Sequence, residues 1–204
     1  MMGLANTGQL PFGMIYLHGL VRDHKGRKMS KTLGNGIDPL DLIDTYGADS
    51  LRLSLVMGST PGGDINYSHE RIDYASRFIN KFWNATRFVY TNAGLGTSRI
   101  DLQLLADDIV SHQDKLEAFD TWILDKTNSL ITQTQIGFDT YIFGESYNAL
   151  IKTIWNDFCD RMIEVSKIEK TLYTDKVMIY CIGAYLKLLH PVAPFVTHHL
   201  WRIM

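Results

Sequence analysis

Downstream of Ser68, apolar side chains recur at steps of three and four residues, and no other feature restricts the fold of this chain as strongly. The first such stripe is made of Ile72, Ala75, Ile79, Phe82, Trp83 and Val89. Further stripes are expected after an Asp120 cap, from about Glu145, and after a Thr174 cap. Amphipathic helices of this length bury their apolar faces against one another. The pattern therefore predicts a mainly α fold with an antiparallel helical bundle.

The N-terminal part of the chain is patterned differently. Residues 14–21 are mostly apolar and include β-branched and aromatic side chains, which predicts a buried strand. The loop that follows, residues 22–31, carries five basic residues against one acidic residue, a net charge of +4. Asp38 and Pro39 are typical of a helix N-cap and first helical position, and Gly47 is expected to end that helix.

Whole-chain composition excludes several classes of protein. The net charge is −2, so any contact with nucleic acid must come from local basic patches rather than from the global field. The sequence contains no run of eighteen apolar residues and no recognisable leader, which predicts a chain without membrane contact. Only Cys159 and Cys181 are present, too few for a disulfide framework, and this predicts a cytoplasmic protein. Residues 92–100 are expected to form a linker.

The pentapeptide over residues 28–32 carries the chemistry. It reads Lys28-Met29-Ser30-Lys31-Thr32, with a glycine on each side of it at short distance. Two compact ammonium groups with hydroxyl groups between and beside them suit a loop that folds over phosphates. The positive charge alone would equally describe a solvated basic loop. The complete pentapeptide is far more specific than the charge.

This stretch resembles the second signature region of class I aminoacyl-tRNA synthetases, a Lys-Met-Ser-Lys-Ser loop after the last strand of a Rossmann-like catalytic domain. Thr32 replaces the final serine and keeps its hydroxyl group. The flanking segments 18–23, 33–39 and 46–52 extend the resemblance. It implies that residues 28–32 bind ATP, with Lys31 as the ATP-contacting lysine, and that Lys28 and Lys31 are catalytic.

Other segments are similar to the valine enzymes of this class. They are residues 34–41, 57–64, 80–88, 154–160 and 189–195, so that the resemblance covers about residues 9 to 204. The isoleucine enzymes share the lysine loop and are the alternative, although they usually carry a β-branched residue in place of Gly36.

The resemblance implies three parts. Residues 1–37 would be the C-terminal end of the Rossmann-like domain, residues 38–68 a connecting segment that contacts the tRNA stem, and residues 69–204 a helical anticodon-binding domain truncated at its C-terminus. The partner signature of the lysine loop, of His-x-Gly-His type, occurs nowhere in the 204 residues. We therefore expect a fragment of valine–tRNA ligase that is inactive alone.

The complete enzyme is expected to be a cytoplasmic monomer that uses ATP with Mg²⁺, valine and tRNA(Val), while the fragment itself binds no metal. A non-catalytic tRNA-binding helical module is the alternative from another functional class. Candidates for tRNA contact, chosen by charge only, are Arg77, Lys81, Arg87, Lys152 and Arg161. Asn156 and Asp157 would either form a buried polar contact between helices or contact tRNA.

Overall fold

The computed structural model describes residues 2–93 and 100–204, and within them the protein is mainly α-helical, as the sequence predicts. Residues 94–99 of the predicted linker lie outside the described residues. The elements in chain order are α1 (Met2–Thr7), β1 (Val21–Arg22), α2 (Pro39–Tyr46), α3 (Ala48–Met57), β2 (Ile65–Asn66), α4 (His69–Asn92), α5 (Leu102–Ser111), a 3₁₀ turn (Gln113–Lys115), α6 (Ala118–Asp139), α7 (Phe143–Lys152), a π-helical segment (Thr153–Met162), α8 (Ile163–Ser166), α9 (Leu172–Leu189) and α10 (Pro194–Ile203).

The predicted bundle is confirmed. Helix α6 packs against α7 and α9, while α4 packs against the π-helical segment and α9. One hydrophobic cluster fills the space between these helices, and Phe78, Phe82, Phe158 and Tyr185 are among its fully buried members. No helix within the described residues is both long enough and apolar enough to cross a membrane.

Two predicted helix starts are correct. The Asp38 carboxylate accepts a hydrogen bond from the backbone N–H of Leu40 at 2.9 Å, and Pro39 occupies the first helical position of α2. Gly47 follows that helix with a φ of 83°, a conformation in which its missing Cβ removes the steric cost. Ser68 caps α4, because its hydroxyl accepts from an amide of the first turn at 3.3 Å.

The other two predicted caps are wrong by three residues. The N-caps of α6 and α9 are Glu117 and Thr171, and Asp120 and Thr174 lie at the third helical position. Each of these side chains accepts a hydrogen bond from the backbone N–H of its N-cap residue, at 3.1 and 3.3 Å. In such a capping box both positions are polar, so the composition of the segment does not distinguish the cap from its partner.

The predicted buried strand is also wrong. Only Val21–Arg22 has strand structure, and Met14, Ile15 and Leu17 are 63–75% exposed. A strand needs a neighbour for its backbone hydrogen bonds, and among the described residues β1 has only the two-residue β2, which pairs parallel with it, and a single antiparallel bridge from Arg22 to Lys28. Much of the apolar run is therefore exposed to solvent.

Helix α3 is attached firmly to the bundle. The Asp49 carboxylate accepts hydrogen bonds from two amide groups in the first turn of α10, at 2.7 and 3.3 Å. One turn later, the Arg52 guanidinium donates to two carbonyl groups between α9 and α10, at 2.9 and 3.0 Å. Leu53 is fully buried in the same hydrophobic cluster as the bundle core. These contacts place the N-terminal part of the chain against the bundle.

Candidate functional site

The lysine loop, residues 23–38, connects β1 to α2 and carries the pentapeptide. Strand β1 is hydrogen-bonded to the segment immediately before α4. The carbonyl groups of Leu20 and Arg22 accept from the amides of Ile65 and Tyr67, both at 2.8 Å. The Asp64 carboxylate accepts from the Leu20 amide at 2.7 Å and pairs with the Arg22 guanidinium. The Leu20 amide, followed by Arg22, lowers the pKa of Asp64, so the carboxylate is ionised near neutral pH. The start of the loop is thereby fixed relative to the bundle.

Asp23 lies at the start of the loop and is only 2% exposed. Its carboxylate accepts from the amides of Lys25 and Arg27, at 2.9 and 2.8 Å, and from the Arg27 side chain at 2.9 Å. The Asn35 side chain donates a further hydrogen bond at 2.9 Å. The hydrogen bond from Asn35, and then those from Arg27 and Lys25, lower the pKa of Asp23 against the opposing effect of its burial.

Asn35 forms hydrogen bonds to two residues of the pentapeptide. Its side-chain oxygen accepts from the Ser30 amide at 2.9 Å, and its side-chain nitrogen donates to the Lys28 carbonyl at 3.2 Å as well as to Asp23. The Ser30 hydroxyl in turn accepts from the Leu33 amide at 3.2 Å. The backbone that carries the two lysines is therefore held by side chains on both sides of it.

The predicted site residues divide by exposure. Lys28, Lys31 and Thr32 are exposed, whereas Met29 and Ser30 are half-buried against the loop. Two lysine side chains that extend into solvent from a fixed backbone are suited to neutralising phosphate oxygens. Sequence reasoning missed the residues that hold this backbone, Asp23 and Asn35. Both lie in segments already noticed for their similarity, but the pattern did not reveal that they contact each other.

The five cationic candidates on the bundle are not equivalent. Three of them pair with an acidic side chain: Arg77 with Asp73 at 2.6 Å, Lys81 with Asp160 at 2.5 Å and Arg161 with Asp157 at 3.1 Å. Arg87 and Lys152 are exposed and, within the described part of the chain, take part in no ion pair. Of the five candidates, these two are therefore the best placed to bind an external phosphate.

Asn156 and Asp157 do not form the buried contact between helices that was one of the two interpretations. Asn156 is exposed, and the Asp157 carboxylate accepts from Arg161 on its own helix. Both residues lie in the π-helical segment, whose wider turns place side chains on faces other than those of a regular α-helix.

The same segment carries Trp155, which stacks on Tyr74 of α4 with ring centroids 5.4 Å apart and the planes 5° from parallel. The Lys81 ammonium lies over the Trp155 ring at 4.6 Å from its centroid. Tyr74 is 42% exposed, so an aromatic surface with an adjacent cation is accessible on this side of the bundle.

Comparison with known proteins matches both the N-terminal segment and the bundle to tRNA synthetases. A family model described as tRNA synthetases class I (I, L, M and V) matches residues 1–68, and one described as the anticodon-binding domain of tRNA ligase matches residues 120–204. The chain is 43% identical to a valine–tRNA ligase of Enterococcus faecalis over 96% of its own length. It is 44% identical to those of Lactiplantibacillus plantarum and Staphylococcus aureus, over 97% and 98%. The chain belongs to the class I tRNA synthetases.

This class I synthetase chain spans only 22–23% of the length of those curated relatives. Solved structures support the fold over nearly its whole length. An Agrobacterium radiobacter LeuRS–tRNA–LeuAMS complex matches 98% of the chain, and the chain covers 24% of that protein, with a TM-score of 0.77 at 20% identity. A Mycobacterium tuberculosis methionyl-tRNA synthetase with methionyl-adenylate matches 97% of the chain, which covers 39% of it, with a TM-score of 0.69 at 19% identity.

Proposed function

We propose that this chain supplies the ATP-phosphate loop and the tRNA-binding bundle of a valine–tRNA ligase. The observation that carries the proposal is the exposed pair Lys28 and Lys31 on a backbone held by Asp23 and Asn35. Similarity to valine–tRNA ligases along almost the entire chain supports the choice of valine over isoleucine. The proposed division is residues 1–37 for the end of the catalytic domain, 38–68 for the connecting segment and 69–204 for the anticodon-binding domain.

In the proposed reaction the valine carboxylate attacks the α-phosphate of ATP and pyrophosphate leaves. Negative charge grows on the departing phosphates, and the ammonium groups of Lys28 and Lys31 stabilise it there. Ser30 and Thr32 offer hydroxyl groups beside them. Mg²⁺ would reach the loop with ATP, because phosphate oxygens are ligands that this ion prefers. Transfer of valine from the valyl-adenylate to a ribose hydroxyl of tRNA(Val) releases AMP and completes the proposed activity.

The bundle would hold the anticodon arm of tRNA(Val). Arg87 and Lys152, which form no ion pair within the described residues, offer their charge to the phosphate backbone. The surface formed by Tyr74 and Trp155 offers a face on which an unstacked base can lie. We further propose that the complete protein acts as a cytoplasmic monomer.

Binding of tRNA by the 204-residue chain tests the proposed role of the bundle. Filter binding would compare transcripts of tRNA(Val) and tRNA(Ile) at one fixed salt concentration, because phosphate contacts weaken steeply with salt. We expect tighter binding of tRNA(Val) and no pyrophosphate exchange with valine and ATP, since the 204 residues lack the partner signature. Equal binding of both transcripts would contradict the assignment to valine. Exchange clearly above a blank would contradict the expected inactivity.

The ATP-loop assignment is tested in a chimera. This chain would replace the matching segment of the Enterococcus faecalis valine–tRNA ligase, to which it is 43% identical. We expect the chimera to exchange pyrophosphate with valine, and not with isoleucine, and to lose that exchange when Lys31 is removed. A chimera that folds and aminoacylates normally without Lys31 would refute the role given to the loop.

A further inference from the structure

The lysine loop closes on itself through two side chains that lie twelve positions apart. Asp23, at the start of the loop, holds the amides of Lys25 and Arg27. Asn35, at its end, holds the Ser30 amide and the Lys28 carbonyl, and the two side chains are joined by a hydrogen bond of 2.9 Å. The contact therefore spans the whole segment that contains both lysines.

The position of these contacts determines which atoms are held. The Lys28 carbonyl and the Ser30 amide bracket Met29, so the backbone on which the two lysines stand is fixed on either side of that residue. The lysine side chains themselves remain exposed. An exposed loop of high positive charge would otherwise sample many conformations, and each lysine would reach a phosphate in only a fraction of them.

We propose that Asn35, through its hydrogen bonds to Asp23 and to the pentapeptide backbone, is a positioning residue that orients Lys28 and Lys31 before ATP binds. This inference rests on the proposed function of the loop, but the geometry of the contact can be tested without ATP. Asn35 acts through the lysines and does not itself touch substrate.

The chemistry of Asn35 makes the proposal specific. It uses one acceptor atom and one NH₂ group together, toward an amide on one side and toward a carbonyl and a carboxylate on the other. Aspartate has nearly the same shape but cannot donate when ionised, and its charge would face that of Asp23. Asn35→Asp should therefore break the hydrogen bonds to Asp23 and to the Lys28 carbonyl, although its carboxylate can still accept from the Ser30 amide.

Amide hydrogen exchange of the full 204-residue chain, followed by NMR, tests the contact directly. We expect the protection factor of the Ser30 amide to fall about tenfold or more in Asn35→Ala, which removes its acceptor, and by less in Asn35→Asp, which keeps one. The amides of Lys25 and Arg27 should lose less, because Asp23 still accepts from them. The matched control is Asn156→Ala, which removes an exposed asparagine with no hydrogen bond among the described residues. Amides of α9 should be unchanged in all variants, which shows that the bundle is folded.

An unprotected Ser30 amide in the unaltered chain, or full protection in Asn35→Ala, would overturn the contact. Its consequence is tested in the chimera, where Asn35→Ala should lower kcat for pyrophosphate exchange more than it raises KM for ATP. An unchanged kcat with reduced Ser30 protection would refute the positioning role alone. If Lys31→Ala also left exchange unchanged, the proposed function of the loop would be wrong, whatever the exchange of the Ser30 amide showed.

Discussion

At the scale of the residue, Lys31 is the side chain from which the largest effect on chemistry is expected. In the chimera, Lys31→Ala should slow valyl-adenylate formation about a hundred- to a thousandfold, the usual effect of losing one donor to developing charge. Valine affinity should barely change, because the interaction strengthens only as pyrophosphate departs. Lys31→Arg should rescue only in part, since a planar guanidinium does not place its charge where an ammonium does.

Pre-steady-state adenylate formation measures this effect. The matched control is Lys25→Ala, which removes another exposed lysine of the same loop whose amide, but not its side chain, is held by Asp23. A near-normal rate in Lys31→Ala, or an equal loss in the control, would show that general positive charge and not the position of Lys31 matters.

At the same scale, the thiols of the two cysteines are expected to be unreactive in the folded chain. Burial raises the pKa of both Cys159 and Cys181 to about 12. The thiolate is the reactive form, so very few of these thiols are ionised in the folded chain at pH 8. We expect almost no reaction of the native protein with a disulfide reagent over an hour, and two thiols per chain in denaturant. Rapid labelling of the native chain would show that the bundle opens easily, and Cys159→Ala would tell which thiol reacted.

At the scale of the element, α10 depends on a cap that another helix provides. Its own N-cap residue, Ala193, has no side-chain hydrogen bond to offer, and the Asp49 carboxylate of α3 takes that role. Asp49→Ala should therefore lower the free energy of unfolding by about 1–2 kcal/mol, and Asp49→Asn by less, because the amide oxygen remains an acceptor.

Urea unfolding measures this loss. Asp125→Ala serves as control, because Asp125 is an exposed acid of α6 with no hydrogen bond among the described residues. Its effect should stay within about 0.5 kcal/mol. If Asp49→Ala were as mild as the control, the long-range cap would not contribute to stability.

At the scale of the whole molecule, helix α3 and the bundle share one core. Leu53 of α3 is fully buried in the same cluster as Phe78 and Phe158. Leu53→Ala should cost about 2–5 kcal/mol, the range for a leucine truncated in a packed interior. Leu40→Ala, at a position 66% exposed on α2, should cost less than about 0.5 kcal/mol.

The shared core also predicts one cooperative transition. Tryptophan fluorescence reports on the bundle, which contains all four tryptophans, and hydrogen exchange of the α3 amides reports on the other part. Both should give the same free energy of unfolding. Exchange of the α3 amides at a much lower free energy would mean that α3 separates from the bundle before it unfolds.

Local signals in the sequence determined much of this protein. The three- and four-residue spacing of apolar side chains predicts the bundle, because burial of a helix face depends only on positions within that helix. Asp38 and Ser68 could be identified as caps, because a cap binds amides two or three residues away. The lysine pentapeptide could be recognised for the same reason, since its chemistry lies within five consecutive residues.

Only the tertiary structure decided which distant groups meet. Asn35 contacts Asp23 twelve residues away, and Asp49 caps a helix that begins about 145 residues later along the chain. It also decided that Arg77, Lys81 and Arg161 are paired with acids whereas Arg87 and Lys152, within the described residues, are not, and that much of the apolar run before β1 is exposed. The physical reason is that a hydrogen bond or an ion pair depends on distance in space, and a local pattern states what a side chain can bind but not what lies beside it.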